Sequence, residues 1–343
     1  MSRTAVVLFN LGGPDSLEAV RPFLFNLFND AAIISLPRPA RWLIAQLIAG
    51  RRAPIARAIY GKLGGASPIR ANTEAQAQAL EQELGPGYRV FIAMRYWHPL
   101  SAEAAAAVAQ WMPDEVVLLP LYPQFSTTTT ASSLAIWQTA AAAAGLGVPT
   151  RSLCCYPAEA GFIAAVAAGI RAALADWPPG ERKRLLFSAH GLPQKIVATG
   201  DPYPWQVERT AAALRTALNE PELDSVVCYQ SRVGPLAWIG PSTDEEIRRA
   251  AAEKVGVIVV PIAFVSEHSE TLVELDIEYR HLADSLGVPR YARVPVVGTA
   301  KAFIAGLAAL VRAARPGPSP ADGRRICPAE FPRCPCVTSG RPA

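Results

Sequence analysis

The chain has 343 residues, 51% of them apolar and 18% charged, with a formal net charge of +4. That length suits two domains or one large one, and the apolar content excludes wholesale disorder. The mild positive charge gives no argument for nucleic acid as a partner, and no apolar run reaches the roughly 18 residues of a membrane-crossing helix.

The N-terminus enters a strand pattern directly, with nothing resembling a secretion leader. Residues 5–9 read as a short apolar strand ending in Asn10-Leu11-Gly12-Gly13-Pro14. The two glycines permit a sharp turn and close approach of a ligand. The run is not GxGxxG, so no dinucleotide is inferred. Asp15 or Ser16 can cap a helix with Val20, Phe23, Leu24, Leu27 and Phe28 on one face. Residues 31–55 are apolar but studded with Arg38, Arg41, Arg51 and Arg52. They read as an amphipathic helix packed on the core or as an interfacial helix on a membrane surface, and the residue pattern alone favours packing. Residues 60–68, YGKLGGASP, form a glycine-rich loop whose N–H groups and Ser67 can bind an anion or simply turn the chain.

A helix over 73–84 follows, then a strand over 90–94 ending in Arg95-Tyr96-Trp97-His98-Pro99, and a helix over 101–112. The strand 115–120 runs into LYPQFSTTTTASS. Next come a helix through Ala143, a strand near 151–155 and an alanine-rich helix over 162–175. The strand 184–188 ends in Ala189-His190-Gly191-Leu192-Pro193, and GDPYPW leads into a helix to Leu218. The strand 225–229 enters QSRVGPLAWIGPSTDEE. Ser242 or Thr243 caps the next helix, with Asp244 and Glu245 in the first turn, where the helix dipole favours them.

Residues 255–279, VGVIVVPIAFVSEHSETLVELDIEY, concentrate the chemistry. The apolar run 257–265 reads as a strand buried on both faces. Helical spacing follows, with Glu267, Glu270, Glu274 and Glu278 at steps of three, four and four. On a helix these form one row of mutually repelling charges. The row is either a solvated face or a carboxylate ladder, with His268 at its mouth, that holds a cation or relays protons. Ligands in open α/β sheets bind at the ends of such strands. A helix through Leu286, a weak strand over 292–297 and a helix over 301–314 complete the folded part, and the tail from Arg315 is too rich in Pro, Gly and Cys to be helical.

Three strand-end motifs recur in order: LFNLGGP with LFSAHGLP, VFIAMRYWHP with VVCYQSRVGP, and LLPLYPQFS with VVPIAFVS. Together they predict two similar Rossmann-like, doubly wound α/β halves with parallel sheets and a shared cleft. The expected division is 1–150, 151–314 with the His/Glu site, and a Cys-rich tail over 315–343. One strand-end histidine is more often structural than catalytic. Two of them, His190 and His268, beside a carboxylate row favour function. There is no HExxH, no GxSxG elbow and no Walker A loop. An apolar cleft with a His base, carboxylates and a basic rim suits a large flat apolar anion that loses protons or accepts a metal.

LFNLGGPDS, GGASPI, MRYWHP, LYPQFSTTTTASS, SAHGLP, GDPYPWQV, CYQSRVGPLAWIGPSTDE and PIAFVSEHSETLVELDIEY together resemble the ferrochelatases, over about residues 6–311. The resemblance implies a lyase that inserts ferrous iron, its substrate, into protoporphyrin IX. It implies that His190 is the essential residue, as pyrrole-proton acceptor or iron ligand. Glu270 then stands beside the porphyrin with His268 close by, and Glu274 and Glu278 continue a route for metal or protons. Relay along short hydrogen-bond steps and ferrous ligation by imidazole and carboxylate both suit these residue types. The implied porphyrin walls are Leu11, Leu24, Leu27, Ile69 and Trp238, with Asn10, Tyr203 and Gln230 nearby. Arg52, Tyr60 and Ser67 match positions that reach the propionates, and Arg95 and Tyr122 match polar positions deeper in. The resemblance also implies that part of 25–48 rests on the inner membrane surface of a cytoplasmic, peripherally associated enzyme.

Glu267 stands where the family often has Asp. The six cysteines lack the spacing of a disulfide framework and fit a reducing cytoplasm. Some ferrochelatases carry a 2Fe-2S cluster on three C-terminal cysteines and an internal one. Here Cys327, Cys334 and Cys336 have six residues and then one between them, unlike the animal enzymes, and Thr127 stands at the internal animal ligand. The fourth ligand is then Cys155 or its neighbour Cys154. Spare thiols and a zinc site are the alternatives. A chelatase for coproporphyrin or cobalt, and a non-catalytic porphyrin or haem carrier, remain as other functions. The sequence leaves monomer and homodimer open.

Overall fold

The computed structural model describes residues 2–232, 236–320 and 324–337. The chain runs β1 (Thr4–Asn10), α1 (Val20–Phe28), α2 (Arg38–Gly61), α3 (Ile69–Leu84), β2 (Tyr88–Met94), α4 (Ser101–Trp111), β3 (Glu115–Pro120), α5 (Thr130–Ala143) and β4 (Thr150–Cys155). It continues with α6 (Ala160–Ala175), β5 (Lys183–His190), α7 (Gln194–Val197), α8 (Tyr203–Leu218), β6 (Asp224–Gln230), α9 (Thr243–Ala252) and β7 (Gly256–Pro261). A π-helix (Glu270–Glu278), α10 (Tyr279–Ser285), β8 (Tyr291–Arg293), α11 (Lys301–Ala313) and β9 (Gly317–Pro320) follow.

The strands form two parallel sheets, ordered β2-β1-β3-β4-β9 and β6-β5-β7-β8. The repeat is visible in this order. β1 and β5 are the central partners, β2 and β6 lie to one side, β3 and β7 to the other. The apolar strands are buried on both faces by flanking helices, as parallel sheets require. In both sheets the order reverses beside the first strand, which places a ligand crevice at the carboxyl ends.

One apolar core runs through both sheets: Val6, Leu8 and Leu119 from the first join Leu185, Phe187 and Ile258 from the second, with α6, α8 and α11 between. Buried polar side chains also tie the halves. Gln76 donates to the Val265 and Gly298 carbonyls at 2.7 and 2.9 Å, and Gln124 to the Ile262 carbonyl at 3.0 Å.

Several boundaries differ from the expectation. β4 pairs with β3, and β9 pairs with β4, so both the strand after residue 150 and the start of the tail belong to the first sheet. The motif repeat covers only three strands per half and could not assign the fourth. The strand expected over 257–265 ends at Pro261, which has no N–H to give the ladder. Residues 31–37 are not helical. Asp30 accepts the Ala32 N–H at 2.9 Å, and Pro37 precedes a 24-residue α2 that begins at Arg38. The end of the second repeat motif, residues 233–235, and the tail beyond 337 lie outside the described residues.

Candidate active site

His190 is the last residue of β5, so its ring emerges at the carboxyl edge of the second sheet. Its Nδ1 lies 2.6 Å from the Gly191 carbonyl, an acceptor only, so Nδ1 carries the hydrogen. In the neutral ring Nε2 then bears a lone pair. Nε2 is 3.7 Å from Glu270 Oε1, within ion-pair reach but too long for a direct hydrogen bond. The His190 side chain is 39% exposed and that of Glu270 27% exposed, so both are reachable from solvent.

On the other side of Glu270, Oε2 lies 3.5 Å from His268 Nε2. The buried His268 donates Nδ1–H to the Ser266 carbonyl at 3.0 Å. Burial works against a charged Glu270, but His190 and the hydrogen-bonded His268 outweigh it and hold its pKa down to about 2. Burial likewise opposes a charged His268, yet Glu270, the Ser266 carbonyl and Glu267 raise its pKa above the ordinary value. Glu270 is thus a fixed anion between two imidazoles.

Glu270 begins the π-helix, whose i→i+5 bonding widens the turn. Glu274 follows, held by the Ser231 N–H at 2.7 Å, the Ser231 hydroxyl, Gln230 Nε2 at 3.1 Å and the Tyr279 hydroxyl at 3.1 Å. Burial and the Glu270 charge nevertheless raise its pKa, against the Ser231 donors. Glu278 ends the π-helix exposed, with no polar partner among the described residues. Glu267 leaves the expected row. It turns to Arg293 Nη1 at 2.8 Å and the Val296 N–H at 3.1 Å. The expected four-carboxylate row is therefore a close pair, Glu270 and Glu274, with Glu278 at the solvent end.

The first half supplies the facing surface. Tyr60, at the end of α2, is buried, with its hydroxyl beside Ser269 and Glu270. Burial, opposed by Ser269, pushes its pKa up to about 12. Tyr60 thus joins the Glu270 site. Leu24 packs with Tyr60 and Tyr96, and Leu11 and Leu27 line the same cluster. Arg52 lies over the Phe28 ring at 5.6 Å. Ser67 accepts the Ile69 N–H at 3.4 Å, and its N–H donates to the Pro14 carbonyl at 2.8 Å, so the two glycine-rich loops pack together. A Cβ at Gly13 would meet Ser67 Oγ at 2.5 Å, so this contact admits only glycine.

Asn10 donates to Thr73 at 2.9 Å and to Ser266 at 3.3 Å, joining the halves beneath the site. Gln230 is fully buried and donates to the Glu270 carbonyl at 2.9 Å as well as to Glu274, so it supports the π-helix from behind. Trp238 covers Gly191 beside His190. The buried Tyr203 hydroxyl lies against the His190 main chain.

Arg95 and Tyr122 are neighbours, and burial raises the Tyr122 pKa. Arg95 is held by two residues the sequence did not single out. Asp30 accepts from Arg95 Nη2 at 2.7 Å, from Tyr96 at 2.8 Å and from Ser132 at 2.9 Å, and Ser132 accepts from Arg95 Nε at 2.8 Å. Ser231 and Arg293 were missed too. Ser231 has φ +60°, which turns both its donors onto Glu274. Arg293 forks onto Asp276 with two bonds of 2.7 Å while also holding Glu267. The Asp in LDIEY, six residues after Glu270, was the one available hint of that fork.

A second cluster lies behind β4. Cys154, Cys155, Cys327 and Cys334 are buried, and Cys336 is partly so. Cys154 Sγ lies 3.0 Å from Cys155 Sγ and 3.8 Å from Cys336 Sγ. Gln206 Nε2 reaches Cys327 at 3.2 Å and Cys155 at 3.5 Å. Cys334 is pulled below the ordinary thiol pKa by its contacts with Cys327 and Cys336, while Cys327 is pushed up by Cys334 and burial. Among the described residues no three His, Cys, Asp or Glu side chains are grouped so that they could hold a metal ion.

The ferrochelatase family model matches residues 3–315. The chain is 55% identical to the ferrochelatase of Caulobacter vibrioides (strain NA1000 / CB15N) over 343 residues, covering 97% of each. It is 47% identical to that of Rickettsia bellii (strain OSU 85-389), covering 99% of this chain and 97% of the relative. Among solved structures it resembles SirB from Bacillus subtilis with Fe3+, with a TM-score of 0.53 at 11% identity, covering 91% of this chain and 95% of the other. At that identity the likeness concerns the fold, two parallel α/β halves, and the chain belongs to the ferrochelatase family.

Proposed function

We infer that this protein is the enzyme that inserts ferrous iron into a porphyrin in haem synthesis, a lyase acting on protoporphyrin IX. Family membership over nearly the whole chain supports the metal insertion. The observation that carries the residue roles is His190, its Nδ1 turned to the Gly191 carbonyl and its Nε2 3.7 Å from a carboxylate whose pKa is held to about 2.

Metal insertion is an exchange: Fe²⁺ enters and two pyrrole N–H protons leave. His190 Nε2 is free to accept one proton, because Nδ1 is committed to Gly191. Glu270 stays anionic at neutral pH, so it stabilises the imidazolium and attracts the cation instead of taking the proton itself. Glu274, whose pKa burial and the Glu270 charge raise against its donors, is the member of the pair suited to holding a proton in transit. Glu278 opens this path to solvent. Leu11, Leu24, Leu27 and Trp238 give apolar walls for the macrocycle, and Arg52 gives a guanidinium for a propionate.

The test is an anaerobic assay with Fe²⁺ and protoporphyrin IX. His190→Ala is expected to cut turnover by about 10³-fold or more while porphyrin still binds within a few-fold. Turnover surviving that change would remove His190 from the chemistry. Bound porphyrin with no haem from the wild type would make the protein a carrier, and a preference for coproporphyrin in kcat/KM would change the substrate.

The described helices include none long and apolar enough to cross a membrane. α2 instead presents its large apolar residues outward: Trp42, Leu43, Leu47 and Ile55 are exposed, while Ala45, Ala49 and Ala53 face the core. That inversion, with five arginines along the helix, supports peripheral contact with an anionic membrane surface on the cytoplasmic side.

The thiols suit a 2Fe-2S cluster better than zinc. Zinc wants four ligands converging on one centre, whereas two irons divide four thiolates into pairs. Here the sulfurs follow one another instead of meeting at one centre, Cys327 with Cys334, Cys334 with Cys336, and Cys336 with the Cys154–Cys155 pair. Cys327, Cys334 and Cys336 with Cys155 would hold the cluster. Such a group supplies a one-electron couple and a covalent tie between the tail and β4.

A further inference from the structure

Gln206 is fully buried one turn after Tyr203 on α8. Its Oε1 accepts the Phe125 N–H at 2.8 Å, which fixes the amide and turns Nε2 toward sulfur. Nε2 carries two hydrogens and has two sulfur partners, Cys327 at 3.2 Å and Cys155 at 3.5 Å. Glutamine reaches both sides of the cysteine site because Cys155 ends β4 and Cys327 comes from the tail.

The same end of α8 is anchored at two further points. Asp201 accepts from Ser126 at 3.0 Å and from the Thr127 N–H and hydroxyl, each at 2.7 Å, and also from the Tyr203 N–H at 3.0 Å. The Tyr203 hydroxyl lies against the His190 main chain. Within six residues, then, the chain touches the loop after β3, the strand end that carries His190, and two cysteine sulfurs. Residues three apart on a helix share a face, so the sulfurs and His190 address one rigid surface.

We propose that Gln206 is a positioning residue of the cysteine site, and that the start of α8 couples the state of that site to porphyrin binding at Tyr203 and His190. The proposal rests on the iron–sulfur reading above. Amide hydrogen bonds to thiolate sulfur stabilise the added electron and raise the potential of a bound cluster. Coupling between two sites is reciprocal: if reduction of the cluster changes porphyrin affinity, porphyrin must change the midpoint potential by the same free energy.

The experiment uses the full chain purified without oxygen, assayed for iron and acid-labile sulfide. Its reduction is followed by electron paramagnetic resonance with and without protoporphyrin IX and with no added Fe²⁺. The metal-free porphyrin is silent in that measurement. In the wild type the midpoint is expected to shift when porphyrin binds. In Gln206→Leu it is expected to fall and to become insensitive to porphyrin. Gln206→Glu keeps the acceptor for Phe125 but replaces the donors with a charge. It is expected to lower the midpoint further, and wild-type iron and sulfide content in the same sample separates donor loss from misfolding. A wild-type midpoint unmoved by porphyrin, or a shift that persists in Gln206→Leu, overturns the coupling while leaving the cluster. Preparations without iron and sulfide overturn the cluster and the coupling with it.

Discussion

At Glu270 two imidazoles face one carboxylate, and the electrostatics have a definite sign. A depressed carboxylate pKa contributes stability that is present above the ordinary 4.5 and lost as pH falls toward about 2. A raised histidine pKa contributes stability that is present below the ordinary 6.5 and lost as pH rises through the folded value. Both contributions of the Glu270–His268 pair are in force together between pH 4.5 and 6.5. The melting-temperature gap between wild type and Glu270→Gln is therefore expected to be widest in that window and to narrow on either side. A gap constant across pH would mean that the pair does not titrate as a unit. His190, His268 and Glu270 were legible in the sequence because each sits in or just after a strand-end motif. Asp30 and Ser231 were not, since each acts through a backbone turn, an i+2 loop at one and a left-handed residue at the other, that exists only in the folded chain.

Two elements differ from their sequence patterns for instructive reasons. Apolar spacing along α2 is satisfied by a helix of either orientation. What decides is size: alanines fit the narrow seam against α1, so tryptophan and leucine are left outside. Replacing Trp42, Leu43 and Leu47 together by serine is expected to weaken binding to anionic vesicles more than tenfold, since burying each large apolar side chain is worth about 1.5–3 kcal/mol. Stability in urea should be nearly unchanged, because these side chains are already exposed. Cosedimentation with vesicles tests this, and unaltered partitioning would detach α2 from any membrane. The acidic stretch after β7 carries the spacing of an α-helix, yet folds as a π-helix. Arg293 grips Asp276, Tyr291 donates to the Leu275 carbonyl at 2.6 Å, and Gln230 donates to the Glu270 carbonyl. These partners come from β6 and β8, so nothing local in 270–278 announces the wider turn.

At the scale of the molecule, the three-motif repeat disclosed two sheets and which strands are central. It did not disclose that the halves share one core, or that the tail completes the first sheet, because those depend on contacts far apart in the chain. β9 covers the edge of β4 through residues 317–320. Removing everything after Ala314 is expected to lower the melting temperature by about 5 °C and to produce self-association in size-exclusion chromatography, since an uncovered strand edge seeks a partner. A truncated protein that stayed monodisperse and equally stable would make the tail dispensable.

The position of β9 also sets a timetable for synthesis. Cys155 and Pro320 are partners at one end of the same sheet, but the ribosome makes them 165 residues apart. At about 5–20 residues per second, that interval is on the order of 10–30 s. Throughout it the nascent N-terminal half carries a bare strand edge with two adjacent thiols beside it. The second half can fold in the meantime, but the first cannot close until residues 317–320 emerge. Cys154 and Cys155 are therefore open to thiol chemistry well before Cys327, Cys334 and Cys336 have been made.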